Sequence, residues 1–405
     1  MVTINVALGT IAAFSARFTK ERVKWVPYVS AIALVAVLVG AIIIPASRYQ
    51  TVYKGQKLLS YDEGTSSTVA VVENDAGYKL LIVNGVYEVA TDYTILRTFR
   101  MLGHLPLLLH PDPQNALVIS FGAGVTTGAV ARHDLQQIDT VEISPEVIKA
   151  NQYFIEESQD VLSDPRVNLI VDDGRNYLLR TSNTYDVITA DATHPTGSDS
   201  WVLYTQEFYE LCRSKLNADG YMAQWLPLHA LAPVDYKTIV KTFQSVFPET
   251  TIWFTNDYTI LLGSVKKLEI DFADFSRRLR EKRINEDLTA YNLDHPYDFL
   301  GSFILGSDSI KTYTQGSRLN TDNHPYVQSA ERRSRADTNT SNMFALAGSL
   351  ESVNPYLVNL GNEAETIKAD IRKYSEMGRH ILRARGYYYM GDIPVSYTHL
   401  TLPTN

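Results

Sequence analysis

Four patterns of apolar and polar positions follow one another along the chain. From Val26 to Ile44 the run VPYVSAIALVAVLVGAIII carries no charge. Its length is close to the roughly 20 apolar residues that span a bilayer, so it predicts a transmembrane helix. Trp25, Tyr28 and Tyr49 fall where aromatic rings favour the headgroup zone, and Lys20, Arg22, Lys24 and Arg48 flank the span. The shorter apolar stretch Val2 to Phe18 has no basic leader, which argues against a cleaved signal peptide, and reads as the remnant of a preceding membrane helix.

From Lys57 to Val89 short alternating runs meet at Asn74–Gly77 and at Asn84-Gly85, a pattern of antiparallel hairpins. A helical segment, Tyr93 to Leu109, comes next. Apolar strands then alternate with amphipathic helices, the strands falling at Ala116–Ser120, Thr140–Ile143, Val167–Val171, Val187–Ala190, Tyr221–Leu226, Thr251–Phe254 and Thr259–Leu262. That order predicts an α/β fold with a Rossmann-like, doubly wound sheet, whose ligands bind at the carboxyl ends of the strands. Beyond Lys266 a charged helix closes the domain, and helical pattern returns from Met343 to about Met390.

The resulting plan is a membrane segment (1–50), a β hairpin subdomain (51–92), a Rossmann-like domain (93–330), and a polar linker with C-terminal helices (331–394). The last residues, VSYTHLTLPTN (395–405), resemble a translated sequencing adapter and are set aside, so the sequence is expected to be a fragment. The hydrophobic fraction of 45% and charged fraction of 20% exclude a disordered tail, and the single cysteine, Cys212, excludes a disulfide scaffold. With Lys+Arg 37 against Asp+Glu 45, no nucleic-acid partner is expected.

The densest chemistry begins at VISFGAGVTTGAV, where a strand enters Gly122, Gly124 and Gly128 before a helix. Glycines there let the backbone approach a ligand, although an ordinary tight turn uses them too. Glu142 ends the next strand twenty positions after Gly122, where a carboxylate grips the ribose hydroxyls of an adenosine group. Asp172, Asp173 and Gly174 end the third strand, either as acceptors for an adenine amino group or as a solvent turn. Asp191 sits at the tip of the fourth strand, where it can hold an ammonium and accept its proton. His194 follows in a polar loop, either lining the pocket or held by a backbone partner.

The order of glycine loop, ValGluIle, AspAspGly, TyrAspValIle-x-x-Asp and LeuTyrThr-x-GluPheTyr resembles the spermidine synthase family of polyamine aminopropyltransferases over roughly Gln56 to Gly263. The variant resembles the membrane-fused branch of that family, whose late motif is similar to Leu319–Tyr326 here. The resemblance implies decarboxylated S-adenosylmethionine as donor, no metal, a polyamine or other small amine as acceptor, and a homodimer. It further implies that Glu142 binds ribose, that Asp172 and Asp173 serve the adenine side, that Asp191 accepts the proton, and that Tyr204 and Gln224 line the acceptor pocket. The chain departs from the family at Val125, His194, Ser67 and Arg100, and Glu88 follows the central turn. These departures thin the acidic lining that a diamine needs and put putrescine in doubt as the acceptor. The apolar spans and this resemblance imply a localisation in the membrane, multi-pass in the full-length protein, and a cytosolic donor requires the domain in the cytoplasm, although the flanking Lys and Arg count, four before the span against three after it, points the other way. The competing readings are an S-adenosylmethionine methyltransferase and a non-catalytic nucleoside- or polyamine-sensing domain.

Overall fold

The computed structural model describes residues 55–191, 194–197, 200–328 and 338–401. The expected membrane helices at 2–18 and 26–44 lie outside these residues. Among the described residues no helix is long and apolar enough to cross a membrane. Contacts divide the chain into one unit of residues 1–58 with 73–77 and another of 59–72 with 78–405. The site described below belongs to the second.

Strands β1 (Lys57–Glu63), β2 (Thr68–Glu73), β3 (Lys79–Val83) and β4 (Val86–Ala90) form a four-stranded sheet in that order. The hairpin between β3 and β4 turns at Asn84 and Gly85, both at positive φ, as an Asn-Gly turn requires. Helix α1 (Tyr93–Leu109) starts at Asp92, whose side chain accepts from the amides of Thr94 and Ile95 at 3.0 and 3.3 Å.

The alternating part then builds β5 (Asn115–Ile119), α2 (Val125–Val130), β6 (Gln137–Glu142), α3 (Pro145–Ala150), α4 (Ile155–Ser158), β7 (Val167–Val171), α5 (Gly174–Arg180), β8 (Tyr185–Ala190), α6 (Gln206–Ser214), β9 (Leu216–Pro227) and α7 (Pro233–Val246). After these come β10 (Glu249–Thr255), β11 (Tyr258–Ser264), β12 (Ile270–Asp271), α8 (Phe272–Leu279), α9 (Lys282–Thr289), α10 (Pro296–Leu300), β13 (Phe303–Leu305) and α11 (Ser307–Tyr313). The C-terminal part holds α12 (Thr338–Ser349), β14 (Leu357–Val358), α13 (Ala364–Tyr389) and α14 (Ile393–Thr401).

The main sheet runs β13-β10-β11-β9-β8-β5-β6-β7. Five strands, β5 to β9, are mutually parallel, and β11, β10 and β13 add an antiparallel edge, so the sheet is mixed rather than wholly parallel. Short connections explain the edge: only two residues separate β10 from β11, which a hairpin allows and a parallel crossover does not. Both faces of the central strands are covered. Leu117 and Ile119 pack with Tyr209, Val240 and Phe243, while Ala116 and Val118 pack with Leu107 and Val130. This two-sided burial is why these strands read as unbroken apolar runs.

The sequence pattern predicts helix from Met343 to about Met390, but the chain is broken between α12 and α13. Pro355 lacks an amide donor, and Asn359 and Gly361 lie at φ 55 and 68, values that end helices. Strand β13 is also absent from the pattern; three residues are too few for a period to show.

Candidate active site

Strand order reverses between β5 and β8, and the carboxyl ends of the parallel strands open on one edge there. Ser120, Gly122 and Gly124 leave β5 at φ 75, 54 and 79. Glycine adopts these values freely, whereas Ser120 pays for them in strain of about 1 kcal/mol. A Cβ on Gly124 would meet the Phe121 ring at 2.8 Å and Ser158 at 2.9 Å, and one on Gly128 would meet the Ser158 carbonyl oxygen at 2.5 Å. Thus Gly122 and Gly124 serve conformation, while Gly124 and Gly128 also serve packing.

Glu142, at the end of β6, is 5% exposed and bridges this loop. Its Oε2 accepts from the amides of Phe121 and Gly122 at 3.0 and 3.3 Å, and its Oε1 accepts from Ser144 at 2.9 Å. Burial raises its pKa, and the backbone donors oppose that rise. Ser144 in turn shares a 2.6 Å hydroxyl contact with Ser67, so this departure from the family pattern supports the carboxylate loop.

Asp191 follows β8, its amide donating to the Ile119 carbonyl at 2.9 Å. Its Oδ2 accepts from the buried Thr126 hydroxyl at 2.7 Å. The residue keeps some exposure, but protein surrounds the carboxyl group, and desolvation with the nearby Glu142 pushes its pKa up to about 7 against the help of Thr126. Glu88 reaches the same place from β4. Leu81 pairs with Val89 but Ile82 pairs with Tyr87, so Glu88 is the extra residue of a β-bulge, a device that re-aims a side chain. Desolvation, then Asp191 and Glu142, push Glu88 up to about 7 as well.

Tyr204 is fully buried, its hydroxyl pushed well up by burial and by Asp191 and Glu88. Gln224 lies opposite Ala190 in the ladder between β8 and β9 and donates to the Ala190 and Trp225 carbonyls at 3.4 and 3.2 Å. Its Oε1 is buried with no hydrogen-bond partner among the described residues. Asp191, Glu88, Glu142, Tyr204 and Gln224 are therefore gathered in one electrostatic neighbourhood.

The remaining predicted residues have partners of their own. Asp173 caps α5, accepting from the Asn176 amide at 2.8 Å, and Asp172 accepts from the Asp173 amide at 2.9 Å and pairs with Arg180. Gly174 is a packing position, since a Cβ there would meet the Ile119 side chain at 2.5 Å. His194 has the backbone partner that the sequence left open: its Nε2 faces the His229 carbonyl at 3.2 Å, and burial lowers its pKa to about 4.

Arg100 corrects an expectation. Its guanidinium is buried against Asp287 at 3.3 Å and donates to the carbonyls of Val125 and Glu157, beneath the glycine loop, and so it serves as an internal tie. Sequence reasoning missed Thr126, which stands inside the glycine motif, and Asp287, which no local pattern marks.

A sheet of this order, with a glycine loop, a buried carboxylate at the end of β6 and two further carboxyls at its switch point, defines a Rossmann-like α/β domain with its candidate site at that edge. Residues 97–263 match the family model of the spermine/spermidine synthase domain. The polyamine aminopropyltransferase of Erwinia tasmaniensis is 33% identical over 186 residues, which is 44% of this chain and 65% of that protein. Polyamine aminopropyltransferase 1 of Aquifex aeolicus is 28% identical over 251 residues (61% and 88%), and the polyamine aminopropyltransferase of Thermotoga petrophila is 30% identical over 200 (47% and 67%). The chain thus spans just under two thirds of the Erwinia relative and more of the other two. Among solved structures, a spermidine synthase in complex with the transition state analogue AdoDATO shares the fold at TM-score 0.52 and 23% identity, covering 64% of this chain and 88% of that one. Thermotoga maritima spermidine synthase shares it at TM-score 0.51 and 24% identity, covering 64% and 87%. The chain belongs to the spermine/spermidine synthase family.

Proposed function

We propose that the chain transfers the aminopropyl group of decarboxylated S-adenosylmethionine to an amine other than putrescine. The observation that carries this reading is the pair Glu88 and Asp191, two desolvated carboxyls, with Asp191 tied to the glycine loop through Thr126 and its charge acting on Glu88. In the proposed step the neutral amine nitrogen attacks the aminopropyl methylene carbon bound to the sulfonium sulfur. The N–C bond forms as the C–S bond breaks, the electron pair stays on sulfur, and neutral methylthioadenosine leaves. The proton lost by nitrogen passes to the Asp191 carboxylate, whose raised pKa suits a base working near neutrality. Glu142 would take a ribose hydroxyl in exchange for the Gly122 amide, the longest of its three bonds described above.

The apolar span 26–44 supports a membrane-tethered protein, a cytosolic donor supports a domain on the cytoplasmic side, and family membership supports a homodimer; all three belong to the proposal. Methylthioadenosine release from the decarboxylated donor, screened over amines, tests it. Asp191→Asn is expected to lower kcat at least 100-fold while donor binding by calorimetry stays within about threefold. Equal turnover in Asp191→Asn would remove Asp191 from the reaction, and tighter binding of the carboxylated donor would move the assignment to methyl transfer.

A further inference from the structure

A string of rings starts at Trp225, next to Gln224 on β9. Trp225 and Tyr258 have centroids 5.4 Å apart, Tyr258 and His229 5.3 Å, and His229 and His194 5.7 Å. The string returns to the loop that follows Asp191. Burial lowers the pKa of both histidines, and the Trp225 indole N–H is buried with no hydrogen-bond partner among the described residues.

Asp257, next to Tyr258, acts electrostatically on both Tyr258 and His229, and it is 6% exposed. It is taken by α13: Arg385 grips it two-pronged, with Nε to Oδ1 at 2.7 Å, and the Tyr389 hydroxyl donates to Oδ2 at 2.9 Å. Helix α12 holds the same stretch of chain, as buried Asn342 donates to the carbonyls of Leu228 and Leu231, which flank His229. None of these three gripping residues lies in the stretch that matches the family domain.

We infer that the C-terminal helices complete the acceptor site, and that Arg385, by engaging Asp257, leaves a wall of uncharged rings that selects an amine with a single ammonium and an uncharged, ring-sized remainder. Glu88 and Asp191 receive the ammonium, which gives a proton to the Asp191 carboxylate and attacks as the neutral amine, and the rings receive the rest. Arg385 is a specificity-determining residue acting through Asp257, not a catalytic one. The inference rests on the aminopropyl-transfer reading and adds the acceptor class to it.

The test uses the full chain, with 2-phenylethylamine and 1,4-diaminobutane as acceptors and methylthioadenosine release as readout. The wild type is expected to favour 2-phenylethylamine in kcat/KM by about tenfold or more. Arg385→Met, which keeps bulk but frees Asp257, is expected to move that ratio toward the diamine by about tenfold. Arg385→Lys should stay near the wild-type ratio, and adding Asp257→Asn to Arg385→Met should restore it. Methylthioadenosine affinity, measured by calorimetry in each variant, reports that the nucleoside half is folded. Turnover with a ratio that Arg385→Met leaves unchanged, or that Asp257→Asn does not restore, overturns the inference alone. Nucleoside binding without turnover of either amine, or of any other amine screened, overturns the transfer reading and the inference with it.

Discussion

Glu88 and Asp191 each bind a proton more tightly in the folded chain than unfolded, because burial disfavours the charge. The folded state is therefore penalised as pH rises from about 4, and it carries the whole penalty above about 7. Glu88→Gln should stabilise the protein at pH 8 by on the order of 1–2 kcal/mol and leave it unchanged near pH 4. Thermal unfolding at the two pH values checks this, and a gain equal at both would show that charge is not its source. Arg100→Glu, which reverses the charge, is expected to cost about 3–5 kcal/mol in urea unfolding, since it sets a carboxylate against buried Asp287. It should bring no gain in diamine turnover. The placement of Gly122, Glu142 and Asp191 at or just beyond the carboxyl ends of β5, β6 and β8 was legible in the sequence, because strand ends show in the local pattern. What Arg100 does was not, because its partner Asp287 is far off in the chain and only packing joins them.

At the scale of elements, the loop between β5 and α2 holds the tightest constraint. Gly124→Ala would combine a φ of 79 with contacts under 3.0 Å to Phe121 and Ser158. A loss of about 2–4 kcal/mol in stability is expected, with at least tenfold weaker methylthioadenosine binding by calorimetry. Binding at wild-type strength would mean that the loop is not where the nucleoside sits. The hairpin of β3 and β4 was legible from Asn84-Gly85, but its bulge was not. A one-residue slip leaves no mark on an alternating pattern, yet it is what aims Glu88.

At the scale of the whole molecule, the parallel part of the sheet was legible, because strand and helix alternate there, although the order of strands across it was not. The antiparallel edge and the return of the C-terminal helices were not, because they depend on pairings between distant segments rather than on local period. Asn320 gives an example: it is fully buried, donating to the Tyr204 carbonyl at 2.9 Å from 116 positions away. Asn320→Ala is expected to lower kcat by about tenfold through Tyr204 while leaving donor affinity intact, and Asn320→Ser should recover part of the loss. An equal fall in donor affinity would mark the change as general loosening.

The grip of Arg385 on Asp257 spans 128 positions of chain. At synthesis rates of roughly 5–20 residues per second, a nascent chain would expose Asp257 on the order of 10 s before its partner is made. During that interval the ring wall has its strands but not its clamp. A chain stalled short of α13 on the ribosome should therefore hold nucleoside before it can discriminate between amines, so that donor recognition matures ahead of acceptor choice in the lifetime of each molecule.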